Sequence, residues 1–519
     1  MKKIGFFFGA GAEIPYGMPS GGKFALNIFK NSVDAYKEQL KEALKKIDKS
    51  GAYARYWLPQ GFDTKPVYAF GKSEFGSLLQ SSIEYNNSCI LDKLSNIDNI
   101  CYNILKENNI SYKTLYEVYQ KIFAKNFGDY TYKNVVILNK KIANETSSNI
   151  FNSIFYSMLL DFLKQNRASS VKKYAVALLQ LFAATIGQNI INDLNQDFFE
   201  NNDTGLSIFD DISTIFNIDF NQLGLSILDI VLNNKITRIT DKKIDNFEHF
   251  LEELFSLLLE EIFSTALDYR KLIDENFRYL YTPNIQWAKF TKIVIFLHVV
   301  REYIAGLEKN IIPVKNGYYG DLINFSENIQ IKALGTSNYT NILKEKICSS
   351  YKNSVSCDIT SLNGDINCIY NPYKNYVEEI NPSVNTSNQS NIFLKDGQIV
   401  VPFILTQSGI KPITSISVSK KYVCLYNSYS DSDAIVCIGF GFNSDDAHIN
   451  GIFRQLIDDD KKHLFYVTID TNANKIKQKL QKNIKLSDDS INNRIHVVQV
   501  DSTRKCKGLI WLQYIKNNI

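Results

Sequence analysis

Residues 6–22 read FFFGAGAEIPYGMPSGG. Three aromatic rings run straight into a stretch that holds five glycines and two prolines. The apolar run over 3–9 fits a short strand buried on both faces, as in the interior of a parallel sheet. Gly9-Ala10-Gly11 at its end strips the side chains away, so backbone amides can approach an anion. The usual dinucleotide fingerprint would place a third glycine at position 14, which is Ile14, and Pro15 and Pro19 oppose an immediate helix. The stretch therefore reads as a longer glycine-rich loop with its helix deferred to about Gly22. A tight turn with no ligand is the competing reading of the same residues.

From this strand outward, the chain changes texture twice. Helical spacing begins at Phe24, Ile28, Phe29 and Val33, and residues 50–72 read as loop or short strand. Residues 75–310 hold long helical patterns at 146–165, 170–192, 222–234, 245–280 and 285–308. FEHFLEELFSLLLEEIF is apolar on more than one face, which marks a helix buried among others. After 325 short apolar runs return: QIKALGTSNYT, CDITSLNGDI, KYVCLYN, DAIVCIGFGFN, HLFYVTID and RIHVVQV, all read as strands. HINGIFRQLI and STRKCKGLIWLQYI read as helices, and 375–395 as a surface loop. Strands alternating with helices imply a parallel α/β sheet. A lone strand and helix at 1–30 cannot bury themselves. The expected architecture is thus one discontinuous α/β domain, 1–72 with 325–519, interrupted by an all-α insertion at 73–324.

Composition narrows the function classes. The chain has 519 residues, 45% hydrophobic and 13% aromatic, with a formal charge of +4. That near balance lacks the electrostatic footprint of a nucleic-acid binder. The eight cysteines form no CxxC pair, which argues against a zinc knuckle and a disulfide framework, and scattered thiols suit the cytosol. MKKIGFFFGAGA is too short for a secretory signal and reads as a core strand. No segment reaches the roughly 18 clean apolar residues of a membrane span. A cytoplasmic protein is expected, without membrane or direct nucleic-acid binding.

Three further strand ends carry small and polar residues. LGTSNYT brings Ser337, Asn338 and Tyr339 to the carboxyl end of a strand, where open α/β sheets bind ligands. SLNGDI does the same with Asn363 and Gly364. GFGFNSDD offers Gly439, Phe440 and Gly441, then Asn443, Asp445 and Asp446. Helix capping by Asn338, or by one of the two aspartates, is the bland alternative.

In this order the motifs resemble the sirtuin family, and more closely its NAD-consuming branch in bacterial anti-phage defence. GAGAEIPYGMP is similar to the family's glycine loop over NAD, TSNY to its T-x-N segment, LNGDI to its L-H-G segment and GFGF to its adenosine-side loop. The resemblance covers 4–22 and 334–446 and leaves the helical block unmatched. It implies a Rossmann-like domain that takes NAD+ as substrate; no metal is expected, since the cysteines form no CxxC pair. It further implies that Asn338 and residue 363 are the catalytic positions. Gly9, Ala10, Gly11, Ala12, Glu13, Pro19, Ser20, Ser337, Tyr339, Gly364, Gly439, Phe440, Gly441, Asn443, Asp445 and Asp446 would then bind the dinucleotide.

The departures from the family are specific. Glu13 stands where the family has Ser, Ser20-Gly21-Gly22 replaces Asp-Phe-Arg, and the zinc cysteine pairs are missing. The expected histidine base is Asn363, and an amide takes no proton near neutral pH. Either this branch cleaves without that base, or position 363 carries an inactivating His-to-Asn change. Among the histidines, His249 and His298 read as packing residues, His496 starts a strand, and His448 alone lies near a matched motif.

The expected activity is hydrolysis of NAD+ to nicotinamide and ADP-ribose, as an effector of abortive infection. The alternatives are a protein deacylase or an inactive NAD- or ADP-ribose-binding sensor. Unchecked NAD loss kills a cell, so the helical block is expected to impose control. It would do so through a homo-oligomer or through an operon-encoded or phage-derived activating protein.

Overall fold

The computed structural model describes residues 1–19, 21–127, 153–166, 168–186, 227, 229–234, 239, 246–266, 270–309, 317–325, 327, 329–350, 359–380, 392–405, 415–470 and 472–519. The described chain divides into two compact units, 1–20 with 32–69 and 270–519, and 21–31 with 70–269.

The strands of the first unit are β1 (Lys2–Phe8), β2 (Ile329–Thr336), β3 (Ile359–Ser361), β4 (Gly364–Asn371), β5 (Tyr376–Glu379), β6 (Leu394–Lys395), β7 (Gln398–Ile399), β8 (Val401–Ile404), β9 (Ala434–Ile438), β10 (His463–Thr468), β11 (Ile495–Gln499), β12 (Lys505–Cys506) and β13 (Leu509–Ile510). Six of them form one sheet, in the order β3-β2-β1-β9-β10-β11, and every pair is parallel. Numbered within the sheet this order is 3-2-1-4-5-6, the doubly wound arrangement of Rossmann-like α/β folds. Strands separated by more than 300 residues of sequence thus lie side by side, as the strand at 3–9 required.

The three phenylalanines hold both faces of this sheet. Phe6 and Phe8 point to one side, into a core with Tyr319, Leu322, Ile342, Trp511 and Leu512. Phe7 points to the other, with Leu425, Tyr429, Phe440, Phe453 and Leu480. All three rings are fully buried, and each such burial contributes roughly 1.5–3 kcal/mol. Helices Tyr318–Phe325, Ile342–Ser350 and Trp511–Lys516 bring the first set, and Ile416–Ser430, Ala447–Arg454 and Ala473–Leu480 the second. β4, β5 and β8 make a separate three-stranded antiparallel sheet.

Several local expectations change. KYVCLYN, 421–427, is not a strand but part of helix Ile416–Ser430. Val418, Leu425 and Tyr429 recur at helical spacing and are buried, while β-branched Val423 faces solvent. The helix's own partners override a local β propensity. Within 50–72, Ala52–Trp57 is helical. STRKCKGLIWLQYI is a two-stranded ladder, Lys505–Cys506 with Leu509–Ile510, followed by helix Trp511–Lys516. The expected loop at 375–395 contains β5 and β6 at its ends, and 381–391 lie outside the described residues.

Among its described residues the second unit holds helices and no strand. Helix Phe247–Ala266 buries Phe250, Leu251, Leu254, Phe255, Leu258, Leu259 and Ile262, which accounts for its nearly all-round apolar pattern. Its limits differ from 73–324. Helix Gly21–Lys30, which directly follows the glycine loop, belongs to it, joined to Phe247–Ala266 by Lys23–Glu261 at 3.1 Å and by Lys30–Glu260. Helix Trp287–Lys309 belongs instead to the α/β unit, where Arg301 Nε donates to the Ile366 carbonyl at 2.7 Å. Among the described residues no helix is long and apolar enough to cross a membrane.

Candidate functional site

In a 3-2-1-4-5-6 sheet the strand order reverses between the first and fourth strands, here β1 and β9. The region outside the carboxyl ends at this point is the general ligand position of such sheets. Gly9–Glu13 leaves β1 and Gly439–Asp446 leaves β9, so two of the sequence-derived segments meet at this point. Gly9 N donates to the Ile438 carbonyl at 2.9 Å, and Gly11 N to the Gly439 carbonyl at 2.9 Å.

This contact explains most of the glycines by itself. A Cβ on Gly9 would lie 2.5 Å from Phe440 Cα. Gly439 has φ +67°, and its Cβ would lie 2.2 Å from Ala12 N. Both positions exclude a side chain because the loops touch backbone to backbone. Gly441 is different. Its φ is not in the left-handed region, and a Cβ there would meet only the Asn443 side chain, at 3.2 Å and beyond. Phe440 is a core residue, its ring 5.1 Å from Phe7 and its carbonyl accepting from Tyr466 Oη at 3.0 Å. Buried Phe442 is held at φ +48° by rings of Phe440 and Phe453. A bulky residue there marks local strain.

Behind the β1 loop lies a polar cluster. Ala10–Ala12 forms one turn of 3-10 helix and delivers Glu13 inward, where it is 2% exposed. Tyr319 Oη donates to Glu13 Oε1 at 2.9 Å, and Thr340 Oγ1 donates to the same oxygen at 2.7 Å. Burial raises the Glu13 carboxyl above its ordinary value, against the hydrogen bonds from Thr340, Tyr319 and Asn338. Tyr16 stacks on Tyr319 with ring centroids 5.1 Å apart. Its hydroxyl accepts from Tyr319 N at 3.1 Å and Gly320 N at 3.3 Å. Nearby, Glu308 accepts from Asn341 N. Burial foremost, with the charges of Glu345 and Glu13, pushes Glu308 up to about 7, against the Asn341 hydrogen bond.

Asn338 follows β2 and is 6% exposed. It does not cap the next helix. Its backbone N donates to Thr336 Oγ1 at 3.0 Å, and its Nδ2 donates to the Gly9 carbonyl at 3.1 Å and Tyr319 Oη at 3.3 Å. It therefore ties β2 to the glycine loop. Ser337 N donates to the Phe8 carbonyl at 3.0 Å, and Tyr339 Oη to the Leu405 carbonyl at 2.8 Å.

Asn363 lies two residues past β3 and is 5% exposed. Gly364 turns the chain into β4 at φ +80°, where a Cβ would lie 1.8 Å from the Phe403 carbonyl oxygen. The Asn363 carbonyl accepts from Leu405 N at 2.8 Å. Its Oδ1 lies 2.9 Å from Nε2 of His448. His448 stands in the first turn of helix Ala447–Arg454, half-buried, with Tyr422's ring centroid 5.9 Å away. Tyr422 Oη in turn donates to the Leu362 carbonyl at 3.2 Å. The segment after β3 and the helix after β9 are thus drawn together.

The remaining positions are more peripheral. Asn443 is exposed, and its carbonyl accepts from Asn450 Nδ2 at 2.8 Å. Asp445 and Asp446 lie in the turn Ser444–Asp446, and Asp446 is partly exposed. Pro19 is partly exposed, and Ser20 lies outside the described residues. Tyr319, Thr340, Tyr16 and Glu308 were not singled out in the sequence. The polar run after β2 pointed only as far as Tyr339, one residue short of Thr340. Among the described residues no group of three or more His, Cys, Asp or Glu could hold a metal ion. Compared with protein-family models, curated proteins and solved structures, the chain matches none.

Proposed function

We propose that this region binds NAD+ and hydrolyses it to nicotinamide and ADP-ribose. The observation that carries the reading is convergence. The glycine loop after β1, Asn338 after β2, Asn363 after β3 and the glycine loop after β9 are four separate stretches of sequence. All four leave the carboxyl ends of neighbouring strands in one sheet. The resemblance to the NAD-consuming branch of the sirtuins, in these same stretches and in this order, supplies the substrate.

The bond between nicotinamide and ribose breaks through an oxocarbenium-like state, as glycosidic bonds do. The chain's own residues then have divisible tasks. The β1 loop, from Gly9 to Pro19, holds the pyrophosphate and covers the nicotinamide. Asn338 holds that loop against β2 beside the ribose. Gly439 to Asp446 receives the adenosine half, with Gly441 as the point of closest approach. The electron pair of the broken bond goes to the pyridinium nitrogen and neutralises it. Water adds at C1′.

In the cell this activity would be an effector of abortive infection, silent until triggered. A protein deacylase and a non-catalytic NAD sensor are the outcomes that would displace this reading. Calorimetry with NAD+ and ADP-ribose, together with chromatography of nicotinamide release by the chain in its active assembly, separates the three. Release of nicotinamide without an acyl-peptide is the expected result. Release only with an acyl-peptide means a deacylase, and binding without release means a sensor. No binding of either nucleotide overturns the reading.

A further inference from the structure

We propose that Tyr319 is a positioning residue of this site: its hydroxyl, held by Glu13, fixes the Asn338 side-chain amide so that the amide oxygen is the end left to accept from substrate. The inference rests on the NAD-hydrolysing reading and names the groups that orient Asn338 in it.

In the row Glu13, Tyr319, Asn338 the role of each atom is set by its chemistry. The Tyr319 ring is fully buried, stacked on Tyr16 with centroids 5.1 Å apart and edge-on to Phe8 at 5.0 Å. Its hydroxyl has one hydrogen, which it donates to Glu13 Oε1 at 2.9 Å. Burial foremost, with the charge of Glu13, pushes the Tyr319 hydroxyl well above its ordinary value, so it keeps that hydrogen near neutral pH. Thr340 Oγ1 donates to the same Glu13 oxygen at 2.7 Å and fixes the carboxyl from a second residue. The Tyr319 oxygen is left with lone pairs alone, so a further polar group that meets it must donate.

The Asn338 amide meets that oxygen at 3.3 Å and the Gly9 carbonyl at 3.1 Å. Both neighbours can only accept, so both bonds belong to Nδ2, the end of the amide that carries hydrogens. An Asn side chain has two amide hydrogens, and both are engaged here. The network therefore assigns one orientation of the amide and not its reverse. Among the described residues nothing donates to Oδ1, and it is not one of the enclosed polar atoms left without a partner. It is the end that remains for a ribose hydroxyl or the attacking water. Without the Tyr319 hydroxyl, the Gly9 carbonyl alone opposes rotation of the amide.

The test uses the full chain in its active assembly. Tyr319→Phe keeps the buried ring and removes only the hydroxyl. Its kcat for nicotinamide release should fall roughly 10–100-fold, the worth of a misplaced polar group, while KM for NAD+ and the affinity for ADP-ribose hold within about threefold. Glu13→Gln keeps an acceptor oxygen for Tyr319 and should retain more of the rate than Glu13→Leu, which removes it. Unchanged kcat in Tyr319→Phe, or a loss confined to KM, overturns this assignment and leaves the NAD reading standing. Absence of ADP-ribose binding and of turnover already in the wild type removes both. If the wild type binds ADP-ribose but releases no nicotinamide, NMR of asparagine-labelled protein decides, with the Asn338 amide identified by its loss in Asn338→Asp. Its protons should exchange with solvent about tenfold faster in Tyr319→Phe than in the wild type, and equal exchange overturns the assignment.

Discussion

Asn338 has two buried partners, the Gly9 carbonyl and the Tyr319 hydroxyl, and this changes what its removal should do. A polar residue at a strand end would ordinarily contribute little to the core. Here Asn338→Ala strands two acceptors in a nearly dry cluster, a loss of about 1–3 kcal/mol. Urea unfolding should show it as a lower midpoint with an unchanged slope, and nicotinamide release should fall with it. Glu308 gives a second residue-scale expectation. Its folded value is raised to about 7 from an ordinary 4.5, so between those limits the folded state binds more protons than the unfolded one. Its contribution to stability is therefore full below about pH 4.5 and is lost as pH rises through about 7. Glu308→Gln keeps the acceptor for Asn341 N and removes the charge. The wild type should lose more Tm than the variant between pH 5 and 8, by about 2–4 °C. Parallel curves would place Glu308 in ordinary solvent. None of this was legible in the sequence, because Glu13 and Glu308 are 295 positions apart and their coupling arises only when Thr340 and Asn341 fold between them.

At the scale of elements, the strands that form the sheet were legible and helix Ile416–Ser430 was not. Phe6, Phe7 and Phe8 announce a strand buried on both faces, since no partly exposed strand would spend three consecutive rings. The apolar runs of β9, β10 and β11 announce themselves likewise. KYVCLYN failed because seven residues with three β-formers look alike in either structure. Its helical register shows only when Val418 and Tyr429 are counted with it. The glycine loops were legible as close approaches, but not what they approach. Gly439 packs on Ala12, so Gly439→Ala should destabilise the fold by about 1–3 kcal/mol from left-handed strain alone, beyond the clash with Ala12 N. Gly441 has no such constraint. Gly441→Ala should leave the thermal midpoint within about 1 °C and weaken NAD+ affinity. A calorimetric titration checks it, and unchanged affinity would mean that the dinucleotide does not pass over Gly441.

At the scale of the molecule, the connection between the units carries the regulatory expectation. The glycine loop ends at Pro19, and after one further residue the chain enters helix Gly21–Lys30. That helix belongs to the helical unit, fastened by Lys23–Glu261 and Lys30–Glu260 to its longest described helix, Phe247–Ala266. The segment proposed to cover nicotinamide is therefore covalently continuous with the second compact unit. A second copy of the chain, or an activating protein, that binds the helical unit differently in two loop states would shift the loop between them. A partner with equal affinity for both states would shift nothing. The expected outcome is that the isolated chain releases little nicotinamide, and that turnover appears on association through the helical unit. Light scattering and nicotinamide release should be followed in the same sample, across dilution and with candidate partners. Reversing charge at Lys30, Lys30→Glu, sets it against Glu260 and loosens the tie between loop and unit. Turnover should then depend less on association while mass is unchanged. Full turnover by a dilute wild-type monomer would remove the helical unit from control of the loop and leave the α/β unit acting alone.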